Sequence, residues 1–244
     1  MTELVVVKYG GHAMKEPEVF AQGVKTLSDM GNRVVVVHGG GPQISKMLDR
    51  VGIESRFHQG LRVTTPETME IVRMVLLSIG KDLVRHLNAT GASAVGLSGE
   101  DGRMMTAVPV SHDIGLVGDA GEVNPALVEK LLADGHVPVV STIAPDAHGV
   151  PHNLNADTAA AALAVALRAT KLIILTDVPG LFSAWPDPRS LIPSIRTHEL
   201  EELMPKLAPG ILPKVEACVR AVRGGVPAAR VVGDLAHEGT TVLL

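Results

Sequence analysis

The sequence predicts an α/β protein, a three-layer α/β/α sandwich around a mainly parallel open sheet, and three observations carry that prediction. Short aliphatic runs recur between helical patterns along the whole chain. Those runs do not alternate apolar with polar positions, which marks parallel strands covered by helices on both faces. At 244 residues, with 46% hydrophobic and 20% charged content, the chain can bury one sizeable core and suits a single domain.

The runs lie at 4–7, 34–37, 94–97, 137–140, 172–175 and 230–232. After the second, Pro42 and the apolar face of Ile44, Met47, Leu48 and Val51 predict a helix that stops near Gly52. Residues 69–87 are apolar nearly all round, so this helix is expected either at a homodimer interface or fully inside the core. Residues 106–123, broken by Pro109, Gly118 and Gly121, read as antiparallel ribbons able to form a flap. An alanine-rich helix is expected over 158–168. No linker or repeat interrupts the chain, and a soft boundary near 168–171 divides the single domain into lobes of about 1–168 and 169–244. Residues 184–188, with Pro186 and Pro188 around Trp185 and Asp187, read as an irregular loop, and a last helix is expected over 214–222.

Composition narrows the function classes. With one Trp, one Tyr and three Phe, stacking surfaces for single-stranded nucleic acid are nearly absent, and a formal charge of −4 argues against a basic stripe. Cys218 is the only cysteine; a lone thiol set in a helical apolar run suits a reducing cytoplasm. The chain opens on a strand-like run, and no apolar stretch approaches about 18 residues, so secretion and membrane spanning are not expected.

Ligands of parallel sheets collect beyond the carboxyl ends of the strands. Three ends stand out: Lys8-Tyr9-Gly10-Gly11, His38-Gly39-Gly40-Gly41-Pro42 and Thr176-Asp177-Val178-Pro179-Gly180. Glycines expose backbone N–H groups to close approach, and a helix starting at Pro42 adds its positive dipole end, so the triple glycine reads either as an anion cradle or as a turn needing positive φ. It matches neither the Walker A pattern nor G-x-G-x-x-G. Lys8 beside a buried strand points either into a polar cleft or, on its aliphatic stem, out to solvent. Asp157 reads as an N-cap or first-turn acid of the alanine-rich helix, or as a ligand group sharing a face with Asn153 and Asn155. Arg62 offers two parallel N–H donors for a carboxylate. Lys214, a cation at a helix start, would be relieved by an anion. The ten histidines do not fall into metal-ligand spacing, and no structural zinc is expected; no nucleophile elbow is present.

In order, Lys8-Tyr9-Gly10-Gly11-His12-Ala13-Met14, His38-Gly39-Gly40-Gly41-Pro42-Gln43, Gly60-Leu61-Arg62-Val63-Thr64, Asn153-Leu154-Asn155-Ala156-Asp157 and Leu212-Pro213-Lys214-Val215 resemble the acetylglutamate kinase branch of the amino acid kinase family over essentially the whole chain. The resemblance implies the amino acid kinase, or carbamate kinase-like, fold and ATP-dependent phosphorylation of the side-chain carboxylate of N-acetyl-L-glutamate, a step of arginine biosynthesis. Lys8, Lys214 and Asp157 would be catalytic, the lysines bracketing the phosphoryl group and Asp157 orienting them. Gly40, Gly41, Arg62, Asn153 and Asn155 would bind the amino acid. Gly10, Gly11, Thr176, Asp177, Gly180, Phe182 and Gly210 would bind ATP, which carries its own Mg²⁺. A homodimer insensitive to arginine is expected, because only seven residues precede Lys8. Pro209-Gly210 replaces the family's paired glycines, and Glu100 stands where a lysine is expected. A kinase for carrier-linked aminoadipate and a non-catalytic sensor of the same fold are the alternatives.

Overall fold

A computed structural model describes residues 2–10 and 14–244. The chain runs β1 (Leu4–Tyr9), α1 (Pro17–Asp29), β2 (Arg33–His38), α2 (Gly41–Val51), β3 (Phe57–His58), β4 (Leu61–Arg62), α3 (Pro66–Ala89), β5 (Ala94–Ser98), β6 (Met105–Pro109) and β7 (Val117–Val123). It continues through α4 (Ala126–Ala133), β8 (Val137–Ser141), β9 (Ile143–Pro145), β10 (Pro151–Leu154), α5 (Ala156–Ala166) and β11 (Lys171–Leu175). The last elements are β12 (Ser194–Arg196), α6 (Thr197–Leu203), α7 (Leu212–Arg223), β13 (Ala228–Val232) and β14 (Thr240–Leu243).

Eight strands form one sheet in the order β12-β14-β13-β11-β1-β2-β8-β5. The six aliphatic runs are the six adjacent parallel strands from β13 to β5. Their burial explains the match: every residue of β1 and of β8 is buried, and helices seal both faces. Cores lie on the two sides of the sheet, one holding Val6, Val35 and Leu172 with α5 and α7, the other holding Val5, Val7 and Val34 with α1 and α3. The antiparallel partner of β13 is β14, on whose far side β12 pairs in parallel. Strands from before residue 168 fill one half of the sheet and those from beyond it the other, meeting where β1 pairs with β11.

Local chemistry sets the helix ends that matter. Pro42 lies in the first turn of α2, and Gly52 closes it in the left-handed region at φ 77°, where a Cβ would clash. The ribbon expected at 106–123 is the antiparallel pair β6 and β7, to which β10 adds in parallel and β9 beyond it. The expectation of a fully internal helix at 69–87 does not hold. One face of α3 buries Met69, Val72, Leu76, Leu83 and Leu87, but Met74 is 59% and Leu77 39% exposed, because the sheet can cover only one side of a helix. Among the described residues, no helix is long and apolar enough to cross a membrane.

Candidate active site

The carboxyl ends of β1, β2 and β11 gather two cavities around a buried charge cluster. Lys8 is 7% exposed and Asp157 5%; the ammonium lies 3.0 Å from one carboxylate oxygen of Asp157, and the Lys214 Nζ lies 3.5 Å from the other. Lys8 therefore does not snorkel to solvent. An ammonium carries three donors, so the single contact with Asp157 at 3.0 Å leaves others for an anion. Burial pulls Lys8 below the ordinary lysine range, and Lys214 adds to that, while Asp157 and Asp177 oppose it. Two lysines converge on the buried Asp157, a concentration of positive charge suited to an anionic ligand.

The chain delivers Asp157 by a capped helix start. Asn155 is the N-cap of α5 and accepts from the Asp157 and Thr158 amides at 2.8 and 3.3 Å. Of the two local expectations for Asp157 the N-cap role passes to Asn155 and the first-turn acid holds, and from that first turn Asp157 meets the lysines. Backbone extension ends with β10, so Asn153, Asn155 and Asp157 do not share one face; Asn153 and Asn155 line the first cavity and Asp157 stands behind it. Lys214 sits in the first turn of α7, behind Pro213.

The first cavity, about 250 Å³, is lined by Lys8, Gly10, Gly40, Gly41, Arg62, Asn153 and Asn155, with Thr142 and Phe57. None of Gly39, Gly40 and Gly41 has positive φ, so the turn explanation fails and close approach replaces it. A Cβ on Gly40 would lie 2.5 Å from Ile79 Cδ1, and one on Gly39 3.1 Å from the Ala156 Cβ; at Gly41 it would meet nothing within 4 Å. The glycines let α3 and α5 close against the loop while its amides border the cavity. Arg62 is held as a fork: it donates to Ser55 Oγ at 2.8 Å, to Ser45 Oγ at 2.8 Å and to the Gly41 carbonyl at 2.9 Å. The Phe57 ring lies 4.6 Å below its guanidinium. Three of its five N–H groups are spent, both on Nη2 among them, so Nε–H and one Nη1–H remain as separate donors rather than a parallel pair.

The second cavity, about 280 Å³, is lined by Thr176, Asp177, Gly180, Phe182 and Gly210, together with Trp185, Leu207 and Ile211. Gly10, grouped from sequence with this set, lines the first cavity instead; Gly11 lies outside the described residues. Sequence reading missed Trp185, whose ring meets Phe182 edge-on at 4.9 Å, and the Ser45, Ser55 and Phe57 that hold Arg62. No periodicity marks such residues, because each acts through a partner brought close only by folding. Glu100 forms an ion pair with Arg73 of α3 at 3.1 Å, which gives its acidic side chain a partner. Among the described residues no cluster of three or more His, Cys, Asp or Glu could hold a metal.

Comparison with known proteins adds three findings. The amino acid kinase family model matches residues 3–233. An acetylglutamate kinase of Salinispora tropica is 59% identical over 248 residues, spanning 96% of this chain and 83% of the relative. Among solved structures, smu.665 of Streptococcus mutans superposes with a TM-score of 0.89 at 30% identity, over 100% of this chain and 99% of that one. The carbamate kinase of Giardia follows the same fold, with a TM-score of 0.75 at 16% identity over 99% of each chain.

Proposed function

The chain belongs to the amino acid kinase family, and we propose that it transfers the γ-phosphoryl group of Mg²⁺-bound ATP to the side-chain carboxylate of N-acetyl-L-glutamate, a step of arginine biosynthesis. Support for that acceptor comes from the name of the relatives at 53–59% identity. The observation that carries the chemistry is the convergence of Lys8, near the end of β1, and Lys214, in the first turn of α7, on the buried Asp157.

A carboxylate approaching a γ-phosphate brings two anions together, so charge and desolvation make the barrier. Lys8 reaches the phosphoryl group from the acceptor side and Lys214 from the nucleotide side. Asp157 keeps the two ammonium groups apart and oriented until the substrates replace part of its role. The acceptor carboxylate is already ionised near neutral pH, so no general base is required. In this reading Arg62 takes the α-carboxylate, Asn153 and Asn155 the amide end, and Gly40 and Gly41 the phosphoryl oxygens. Thr176, Asp177, Gly180, Phe182 and Gly210 enclose ATP, whose Mg²⁺ enters with it and shields the phosphates. The lobes are 1–168 for the amino acid and 169–244 for the nucleotide. We assign the enzyme to the cytoplasm, where a single buried cysteine stays reduced, and to a homodimer that covers Met74 and Leu77.

A coupled ADP-release assay with N-acetylglutamate, glutamate and aminoadipate derivatives tests the reading. Turnover is expected only with the N-acetylated glutamate; none with that acceptor would sink the proposal.

A further inference from the structure

His38 ends β2 with its ring fully buried, and no role has yet been given to it. Its Nδ1 lies 3.0 Å from the Gly39 carbonyl. A carbonyl only accepts, so Nδ1 carries the proton and donates. Nε2 is then an acceptor and takes the hydroxyl proton of Ser141 at 2.9 Å, which the serine gives to the ring in preference to the Leu76 carbonyl at 3.4 Å. Burial, against the opposing effect of the Gly39 bond, pushes the imidazole down to about 4, so the ring is uncharged at neutral pH. Gly80 of α3 seals the pair: a Cβ there would lie 2.9 Å from Ser141 Oγ and 3.0 Å from Nε2. On the next carbonyl back, Thr142 Oγ1 donates to the His38 oxygen at 3.2 Å.

Both carbonyls leading into the glycine loop are therefore pinned from the end of β8. In a trans peptide the C=O and the following N–H point in opposite directions. With the Gly39 carbonyl turned to the buried ring, the Gly40 N–H turns away from it, and among the described residues that N–H has no hydrogen-bond partner. Gly40 borders the first cavity. We propose that His38 is a positioning residue: its ring holds the Gly39–Gly40 peptide plane so that the Gly40 N–H faces the cavity as a donor to the phosphoryl group in transit. The inference rests on the phosphoryl-transfer reading above and adds to it a residue that touches neither substrate.

A preset donor matters most where charge develops, and loss of one such group costs on the order of 100-fold in kcat. His38→Asn places an amide nitrogen near the Nδ1 position and keeps the bond to Gly39; His38→Gln reaches only toward Ser141. The Gln variant is expected to lose about 10- to 100-fold in kcat, with KM for both substrates within about threefold of wild type, while the Asn variant recovers most of the rate. Calorimetric binding of MgADP with aluminium fluoride, which mimics the transferring phosphoryl group, should weaken by a similar factor in the Gln variant while MgADP alone binds as before. Ser141→Ala, which keeps the ring but removes the hydroxyl that anchors its Nε2, should lose about 3- to 10-fold in the same pattern and serves where the Gln variant does not fold. Wild-type kcat in the Gln or Ala variant overturns the proposal. So do equal losses in Asn and Gln that follow their thermal stability and extend to MgADP. The aluminium fluoride arm needs no acceptor, so an enzyme inert toward N-acetylglutamate would overturn the substrate assignment while the variants still decide the role of His38.

Discussion

Gly10→Ala isolates the placement of the Lys8 ammonium from its charge. A Cβ at Gly10 would lie 2.5 Å from Lys8 Nζ and 3.1 Å from its Cε. Ordinary contact needs about 3.5 Å, so the ammonium must retreat by about 1 Å. Its ion pair with Asp157, 3.0 Å long, would stretch to about 4 Å and weaken by roughly 1–1.5 kcal/mol at an effective dielectric of about 20. Gly10 is buried without positive φ, so the alanine strains no backbone and restores about 0.4–1 kcal/mol by stiffening the unfolded chain. The balance is under about 1 kcal/mol, a shift of at most about 4 °C in Tm for a chain of this size. The rate is another matter, since a 1 Å misplacement at the reacting centre costs on the order of 100-fold. Steady-state ADP release at saturating substrates, beside a thermal melt, reads both. A kcat within threefold of wild type would refute the claim that the ammonium must stand where Gly10 allows it. A Tm lowered by more than about 10 °C would refute the steric accounting.

Arg62→Lys should raise KM for the amino acid at least tenfold with kcat nearly unchanged, because a three-donor ammonium cannot keep the Ser45, Ser55 and Gly41 bonds and still have a donor left for the carboxylate; an unchanged KM would remove Arg62 from carboxylate binding. His38 is held neutral with its pKa near 4 against about 6.5 in the unfolded chain. The unfolded state therefore binds the extra proton between those values, and stability contributed by the neutral ring is full above pH 6.5 and lost as pH falls toward 4. Wild type should lose about 2–3 kcal/mol more than His38→Asn between pH 7.5 and 4.5 in urea unfolding, and parallel losses would contradict the buried neutral ring. Trp185, the only tryptophan, is 62% exposed at the mouth of the second cavity. MgATP should change its emission and N-acetylglutamate alone should not; a flat titration with saturating MgATP would place the nucleotide elsewhere.

The parallel core of the fold was legible because its cause is local. Four of the six aliphatic runs, those of β1, β2, β8 and β11, are buried on both faces, while those of β5 and β13 are only partly buried, and burial leaves a continuous apolar signature. The two-residue β3 and β4, the three-residue β9 and β12 and the closing β14 left none, since short strands with mixed polarity owe their pairing to neighbours. Helix α3 shows the limit in another way: its composition could signal burial all round, but not that the sheet would stop short of Met74 and Leu77.

The sequence by itself determined the fold class, the glycine-rich strand ends and the ionic residue types, because strand burial and helix starts are set within a few neighbours. The ordered motifs carried the family. Only the tertiary structure decided that Lys8, Asp157 and Lys214 share one buried cluster, that Asn155 and not Asp157 caps α5, and that Gly39 and Gly40 serve close packing. Those facts depend on distances between segments far apart in the chain, and such distances exist only once the sheet has ordered β1, β2 and β11 side by side.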